Sequence, residues 1–287
     1  MKKRLPIDIL RGFFLLSHPG PVMCYMIAVA VFASFALWPY FSWSTLSLIL
    51  IGHLATQLSI SFLNDYCDRE RDVLSKKFKP IVAGLVRPRE ALIATFVCMA
   101  VMVVSLLWNP LALLISLLYL ALGQGYNLGL KATPLSGLVF ALFTPLVPLY
   151  AFVGAENFMP LIFYQIPVAA LTGVAFNLAN SLPDIKEDAA SGARTLAVVL
   201  GERGSLIVCS LSLVLAAVTI VVEAITGLVP APFWPLLVMA LFVCLASVVL
   251  LRVFSIWRSS EAYKIYFYLV ITLCLVIGGV WLASVMM

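Results

Sequence analysis

The chain has 287 residues, 63% of them hydrophobic and only 11% charged, and its mean hydropathy is +1.11. A soluble domain carries about 25% charged residues, so these values exclude a soluble globular protein and define a polytopic membrane protein. The net charge of +5 is spread over short connections, which argues against a nucleic-acid surface and leaves membrane topology as its origin.

In chain order, Met1-Lys2-Lys3-Arg4 reads as the inside flank of a first span. It does not open a signal peptide, because Arg11 interrupts the apolar run and no small-residue cleavage site follows. Apolar stretches of about 20 residues then predict nine spans, near 16–38, 43–63, 90–108, 110–126, 134–154, 160–182, 205–227, 232–252 and 265–286. The third and fourth are separated only by Trp108-Asn109-Pro110. With the N-terminus inside, all 18 Lys and Arg fall on inside segments, and the outside connections keep Glu156 and Glu223. The expectation is an all-α integral protein of the cell (inner) membrane, N-terminus cytoplasmic and C-terminus external. It forms a single transmembrane domain over 1–287, without linker or soluble insert. The inside connections at 64–89 and 183–204 are long enough to fold over the mouth of the bundle.

Six cysteines (Cys24, Cys67, Cys98, Cys209, Cys244, Cys274) show no paired spacing, and five fall in apolar helices as small hydrophobes. They predict no disulfide, zinc site or thiol nucleophile. His18 and His53 are single histidines and read as packing or interfacial groups rather than ligands. The 18 Phe, 10 Tyr and 6 Trp read mostly as lipid-facing or interfacial. A subset, which the sequence does not single out, would be free to line an apolar chamber and stabilise a carbocation through ring faces.

Against this background one polar pattern occurs twice. Asn64, Asp68 and Asp72 are spaced by four, and Asn180, Asp184 and Asp188 repeat the spacing. Such steps place three side chains along one helix face. Asp65 adds a third acid to the first stripe, at three and seven residues from Asp68 and Asp72, whereas Glu70 points elsewhere. Pro183 is expected to kink the second helix or to start its exposed extension. An even number of crossings separates the motifs, so both open to the same side, as a parallel rather than an inverted repeat.

Hard oxygen ligands of this kind suit Mg²⁺, which keeps several waters and bridges carboxylates to substrate phosphates. Asp65, Asp68, Asp72, Asp184 and Asp188 repel one another by roughly 3 kcal/mol per pair at about 5 Å and an effective dielectric near 20. A diphosphate would add to that repulsion, so divalent ions have to come with it. Lys76, Lys77 and Lys79 after the first motif, Arg194 after the second, and Tyr126, Asn127 and Lys131 at the end of the fourth span complete a cradle for the anion. A solvated acidic-basic loop is the plain alternative for either motif alone, as is a positive-inside anchor for Lys131.

At this point the chain resembles the UbiA superfamily of intramembrane prenyltransferases along essentially its whole length. The resemblance rests on Asn64-Asp65-x-x-Asp68-x-x-x-Asp72 with the run Lys76 to Gly84. It rests equally on Asp184-x-x-x-Asp188-x-x-x-Gly192-x-x-Thr195-Leu196-Ala197-Val198-x-x-Gly201, and on Tyr126-Asn127 with Lys131. It implies a helical bundle with a cytoplasm-facing cavity, a lateral opening to lipid, and Mg²⁺-dependent use of a polyprenyl diphosphate. By that similarity the metal ligands are Asn64, Asp65, Asp68, Asp72, Asn180, Asp184 and Asp188. The chain departs from the family's usual Arg-Pro at Lys79-Pro80, which keeps a cation but loses a bidentate grip. It also departs at Ala189 and at Ser17-His18-Pro19, the latter in a region tied to acceptor handling.

The expected reaction is departure of diphosphate to leave an allylic cation in a water-poor chamber, captured by an aromatic or lipid acceptor. Two other readings use the same residues. One is terpene cyclisation on this fold, and the other, from a different class, is a cation transporter that uses the acidic repeats.

Overall fold

The computed structural model describes residues 4–73 and 78–286, so Lys76 and Lys77 lie outside the described residues. Among the described residues every regular element is helical, and nine segments are long and apolar enough to cross a membrane. They run Pro19–Ala36, Trp43–Asp72, Pro88–Leu106, Pro110–Asn127, Ser136–Gly154, Pro160–Ala190, Leu196–Ile225, Phe233–Ile256 and Ser260–Val285, one for each predicted span.

The chain divides into two compact units, Met1–Leu128 with Tyr150–Asn157, and Gly129–Leu149 with Phe158–Met287. The first holds α1 (Pro6–Leu16), α2 (Pro19–Ala36), α3 (Trp43–Asp72), α4 (Pro88–Leu106) and α5 (Pro110–Asn127). Proline stands at or next to the first helical position of α1, α2, α4 and α5, where its missing N–H costs nothing and its φ is already helical. α3 packs on α4 and α5. The two predicted spans joined at Trp108-Asn109-Pro110 are separate helices, because Asn109 Oδ1 accepts from Ala112 N at 3.0 Å and caps α5. Asn109 Nδ2 also ties this turn to Val153 O at 2.8 Å. Leu16, Phe62, Val86 and Ala91 form a core that clamps the end of α1 to α3 and α4, with Phe13 edge-on to Phe62 at 5.7 Å.

The second unit holds α6 (Ser136–Phe143), the first part of α7 (Leu146–Gly154), α8 (Gln165–Ser181), α9 (Ile185–Ala190), α10 (Leu196–Ile225), α11 (Phe233–Ile256) and α12 (Ser260–Val285). α8 packs on α6, α10 and α12. Phe176 of α8 stacks on Phe140 at 5.6 Å and meets Phe267 edge-on at 5.2 Å. In both units the acidic motif stands at the C-terminal end of a long span, α3 in one and α8 in the other, as a parallel repeat requires.

Three expectations need correction. The first span does not begin as one helix at residue 16, because His18 adopts φ 48° and separates α1 from α2. The fifth is broken into α6 and α7 at Thr144-Pro145, where Thr144 Oγ1 turns back to Phe140 O at 2.7 Å and Pro145 has no N–H to continue the ladder. Glu223 does not belong to an exposed connection. It is buried within α10, at 5% exposure, and its Oε2 has no hydrogen-bond partner.

Candidate active site

In the first unit α3 continues unbroken through its motif, so Asn64, Asp68 and Asp72 do recur one turn apart along it. Glu70 is off the stripe and 85% exposed, paired with Arg69 at 2.9 Å. Asp65 is buried, and its Oδ1 lies 2.9 Å from His18 Nε2 and 3.6 Å from Lys79 Nζ. Lys79 also reaches Asp72 Oδ2 at 3.4 Å.

The chain presents Lys79 there through a tight turn. Ala83 N bonds Lys79 O at 2.8 Å, Leu85 N bonds Pro80 O at 3.0 Å, and Gly84 supplies the φ of +74° that closes the loop. Burial pulls the pKa of the Lys79 ammonium down, but Asp65 and Asp72 outweigh it, so the net direction is upward and the charge is held. His18 reaches Asp65 because its left-handed backbone turns the chain between α1 and α2.

The end of α5 meets this region through a buried polar column. Asn127 Nδ2 donates to Ile60 O at 2.8 Å and to Gln124 Oε1 at 3.2 Å, Gln124 Nε2 donates to Ser59 Oγ at 3.1 Å, and Gln57 Nε2 donates to Tyr119 Oη at 2.9 Å. One N–H of Asn127 thus holds α5 against α3 and the other is spent on Gln124 within α5, and its own carbonyl oxygen is the atom left to act as an acceptor. Tyr126 beside it is half-buried. His53 sits deeper in the column, buried between Tyr119 and Tyr150 with ring centroids at 5.4 and 5.5 Å.

In the second unit the motif is not one continuous helix. α8 ends at Ser181, Leu182–Asp184 form a 3₁₀ turn that starts with Pro183 at its second position, and α9 carries Asp188. Asn180, Asp184 and Asp188 are all half-buried. The return from α9 uses Gly192 at φ +80°, with Ala193 N bonded to Asp188 O at 3.0 Å. Arg194 N then bonds Ala132 O at 2.9 Å. That single bond brings the backbones of Arg194 and Lys131 together although they are far apart in sequence. α9 is also tethered by Lys186 to Glu202 at 3.5 Å, and Tyr263 Oη donates to the same carboxylate at 3.1 Å.

The donor set fits a divalent metal in a particular way. Among the described residues no three His, Cys, Asp or Glu side chains gather tightly enough to enclose an ion. The oxygens of the first motif instead lie along a stripe, about 6 Å of helix rise apart at each step of four residues, which suits an ion that completes its shell with water and an external phosphate. The first stripe already draws the Lys79 ammonium between Asp65 and Asp72. Glu202 is a site neighbour that the sequence did not single out, and His18, read there as a packing or interfacial group, is bonded to Asp65. No spacing signal could have marked them, since each acts on a carboxylate or amine in a different helix.

Fold and site together define a polytopic all-helical membrane protein with an acidic motif at the end of α3 that is paired with Lys79, and a second acidic motif after α8. The UbiA prenyltransferase family model matches residues 25–275, and the chain belongs to that family and is a prenyltransferase. It is 32% identical over 211 residues to the digeranylgeranylglyceryl phosphate synthase of Methanopyrus kandleri, covering 71% of this chain and 75% of that one. It is 27% identical over 199 residues to the 4-hydroxybenzoate octaprenyltransferase of Vibrio atlanticus, covering 67% and 69%. Its fold matches a UbiA homologue from Archaeoglobus fulgidus, solved with GPP and Mg²⁺, at a TM-score of 0.71 and 17% identity over 95% of this chain and 99% of that one.

Proposed function

We propose that the protein transfers the polyprenyl group of a polyprenyl diphosphate to an aromatic or lipid acceptor within the membrane, with Mg²⁺ as the metal. The observation that carries this reading is the acidic motif recurring at the ends of α3 and α8, with Lys79 against the first and the chain of Arg194 returning beside the second. Asn64, Asp68 and Asp72 hold one ion, and Asn180, Asp184 and Asp188 another. Asp65 already carries His18 and Lys79, and contributes by fixing Lys79. The bound metal supplies neutralisation of the charge that builds on the leaving diphosphate.

The protein's own part is to grip and orient. Lys79 is desolvated and charged, so it meets a phosphate oxygen as a strong point donor. Arg194 adds a guanidinium that can take two phosphate oxygens at once, and Lys131 adds a second point charge. Lys76 and Lys77 extend the same basic run in sequence. Apolar span residues exclude water that would quench an allylic cation. The relatives named above use aromatic and glycerophosphate acceptors, and their division into those two groups is why both remain in the proposal.

The test is prenyl transfer by the purified protein with membrane extract as acceptor, followed by mass spectrometry of the lipids. Transfer is expected to vanish in EDTA and to return with Mg²⁺. Asp68→Ala and Asp184→Ala are each expected to abolish it, while Glu70→Ala retains it. Full turnover in chelator, or equal losses at all three positions, would remove this reading.

A further inference from the structure

α1 is apolar on two opposite sides. Successive helical residues turn by about 100°, so Ile7, Leu10 and Phe14 fall within one narrow stripe, and Gly12 and Leu16 lie on the far side. The far side is packed. Leu16 is fully buried, and a Cβ added to Gly12 would come 2.6 Å from Val86 Cγ2, which places the α1 backbone directly against that residue. The near side is bare: Ile7, Leu10 and Phe14 are 66%, 66% and 63% exposed, and Leu5, just before the helix, is 58% exposed. Arg11 borders this stripe and Asp8 lies further round, so polar groups occupy a single flank.

The helix is also held firmly. Arg4 Nη1 and Nη2 donate to the two carboxylate oxygens of Glu90 at 2.7 and 2.6 Å, and Nη1 also reaches Leu85 O at 3.2 Å. Glu90 and Leu85 follow the first acidic motif, so α1 is fixed at the motif end of its unit. Its exposed stripe leads into that of α2, where Met23, Ile27 and Val31 are exposed at steps of four. α2 is the first span, so this stripe faces lipid, and α1 joins it directly through the left-handed turn at His18.

We propose that α1 is an interfacial helix that binds the anionic lipid surface of the leaflet on the motif side. Ile7, Leu10 and Phe14 enter the boundary between headgroups and acyl chains, the flank of Asp8 and Arg11 faces water, and Arg11 pairs with lipid phosphates. Three features select lipid over a protein partner. The apolar face directly precedes a lipid-facing span in the chain, its polar flank is one-sided as in helices that lie in the interface plane, and Arg11 adds positive charge on that flank. Since α1 runs directly into His18, which hydrogen-bonds Asp65, the surface that seats α1 also seats one edge of the acidic site.

The test uses the full-length protein with a photoreactive phenylalanine analogue at Leu10, reconstituted in vesicles of phosphatidylcholine mixed with phosphatidylglycerol. Illumination is expected to give lipid adducts at Leu10 and none when the same probe replaces Asp8. Protein–protein adducts at Leu10 would mean that a second copy covers this face, and absence of lipid adducts would mean that α1 stands in water. Either result overturns the proposal. A second arm compares native and Arg11→Gln protein for the phosphatidylglycerol that remains bound after purification. One basic residue at the surface accounts for about fivefold, equivalent to about 1 kcal/mol, so the variant is expected to retain roughly a fifth as much. Unchanged retention would remove the anionic preference.

Discussion

A carboxylate buried in a membrane protein has to be matched by neighbouring charge or hydrogen bonds, and Asp65 and Glu223 show the two outcomes. Asp65 gains His18 and Lys79, while Glu223 keeps an oxygen with no partner. A buried acceptor left unsatisfied costs about 1–3 kcal/mol, so Glu223→Leu is expected to leave the thermal unfolding temperature unchanged or raise it, without loss of transfer. A clear drop in that temperature would mean that the carboxylate is satisfied. The backbone carbonyl of Glu223, which accepts from Val229 N at 3.2 Å, is untouched by the change. At the cradle, Lys131→Met removes a charge with little change in volume. Losing one charge-assisted contact is worth about 2–3 kcal/mol, or about 30- to 150-fold in kcat/KM. Lys264 is the control, because its ammonium is already bound to Glu261 at 2.6 Å on an exposed turn. Equal losses in folded Lys264→Met and Lys131→Met proteins would reduce Lys131 to a topological anchor. Acidic spacing was legible because an acid inside an apolar run stands out in any reading. The pairing of His18 with Asp65 spans 47 positions and crosses a left-handed turn, so no local pattern announces it.

The number of crossing helices was equally legible, since a crossing needs about 20 apolar residues whatever its neighbours do, but their extensions past the membrane at Asp72 and Ala190 were not. Nor were breaks inside helices. Pro145 and Pro148 stand in one apolar stretch, yet only Thr144-Pro145 interrupts the helix, and the outcome depends on which hydrogen bonds the surroundings restore. The close approach of α6 to α8 was hidden for the same reason, because it depends on a glycine whose partner belongs to another helix. A Cβ on Gly173 would strike the Phe140 carbonyl oxygen, and it would stand 2.7 Å from Thr144 Oγ1. Backbone cannot yield as a flexible side chain would. Gly173→Ala is therefore expected to push α8 off α6 at a cost of about 1–3 kcal/mol, read as a lower unfolding temperature in detergent. Gly204→Ala is the comparison. The nearest atom to its added Cβ is Leu200 Cβ at 3.2 Å, within the same helix, and it should fall by much less.

At the scale of the whole chain, charge placement and the number of crossings constrain each other. Nine segments can cross, and an odd number puts the two termini on opposite sides. The positive-inside rule then chooses between the two orientations. Arg69, Arg71 and Lys79 flank the first acidic motif, Lys186, Arg194 and Arg203 flank the second, and Arg252, Arg258 and Lys264 join α11 to α12, while the opposite connections carry no Lys or Arg. One crossing more or fewer would scatter these residues over both faces. The expected arrangement is a cytoplasmic N-terminus, both acidic motifs at the cytoplasmic side where Mg²⁺ is at hand, and an external C-terminus. Fusion of a reporter that is active only in the cytoplasm should give no signal after Met287 and a full signal after Arg258, in the connection between α11 and α12. Truncation at Arg258 leaves eight crossings, so the two fusions must disagree if α12 spans the membrane. Agreement between them would mean that α12 lies on the surface instead, with both termini on one side of the membrane.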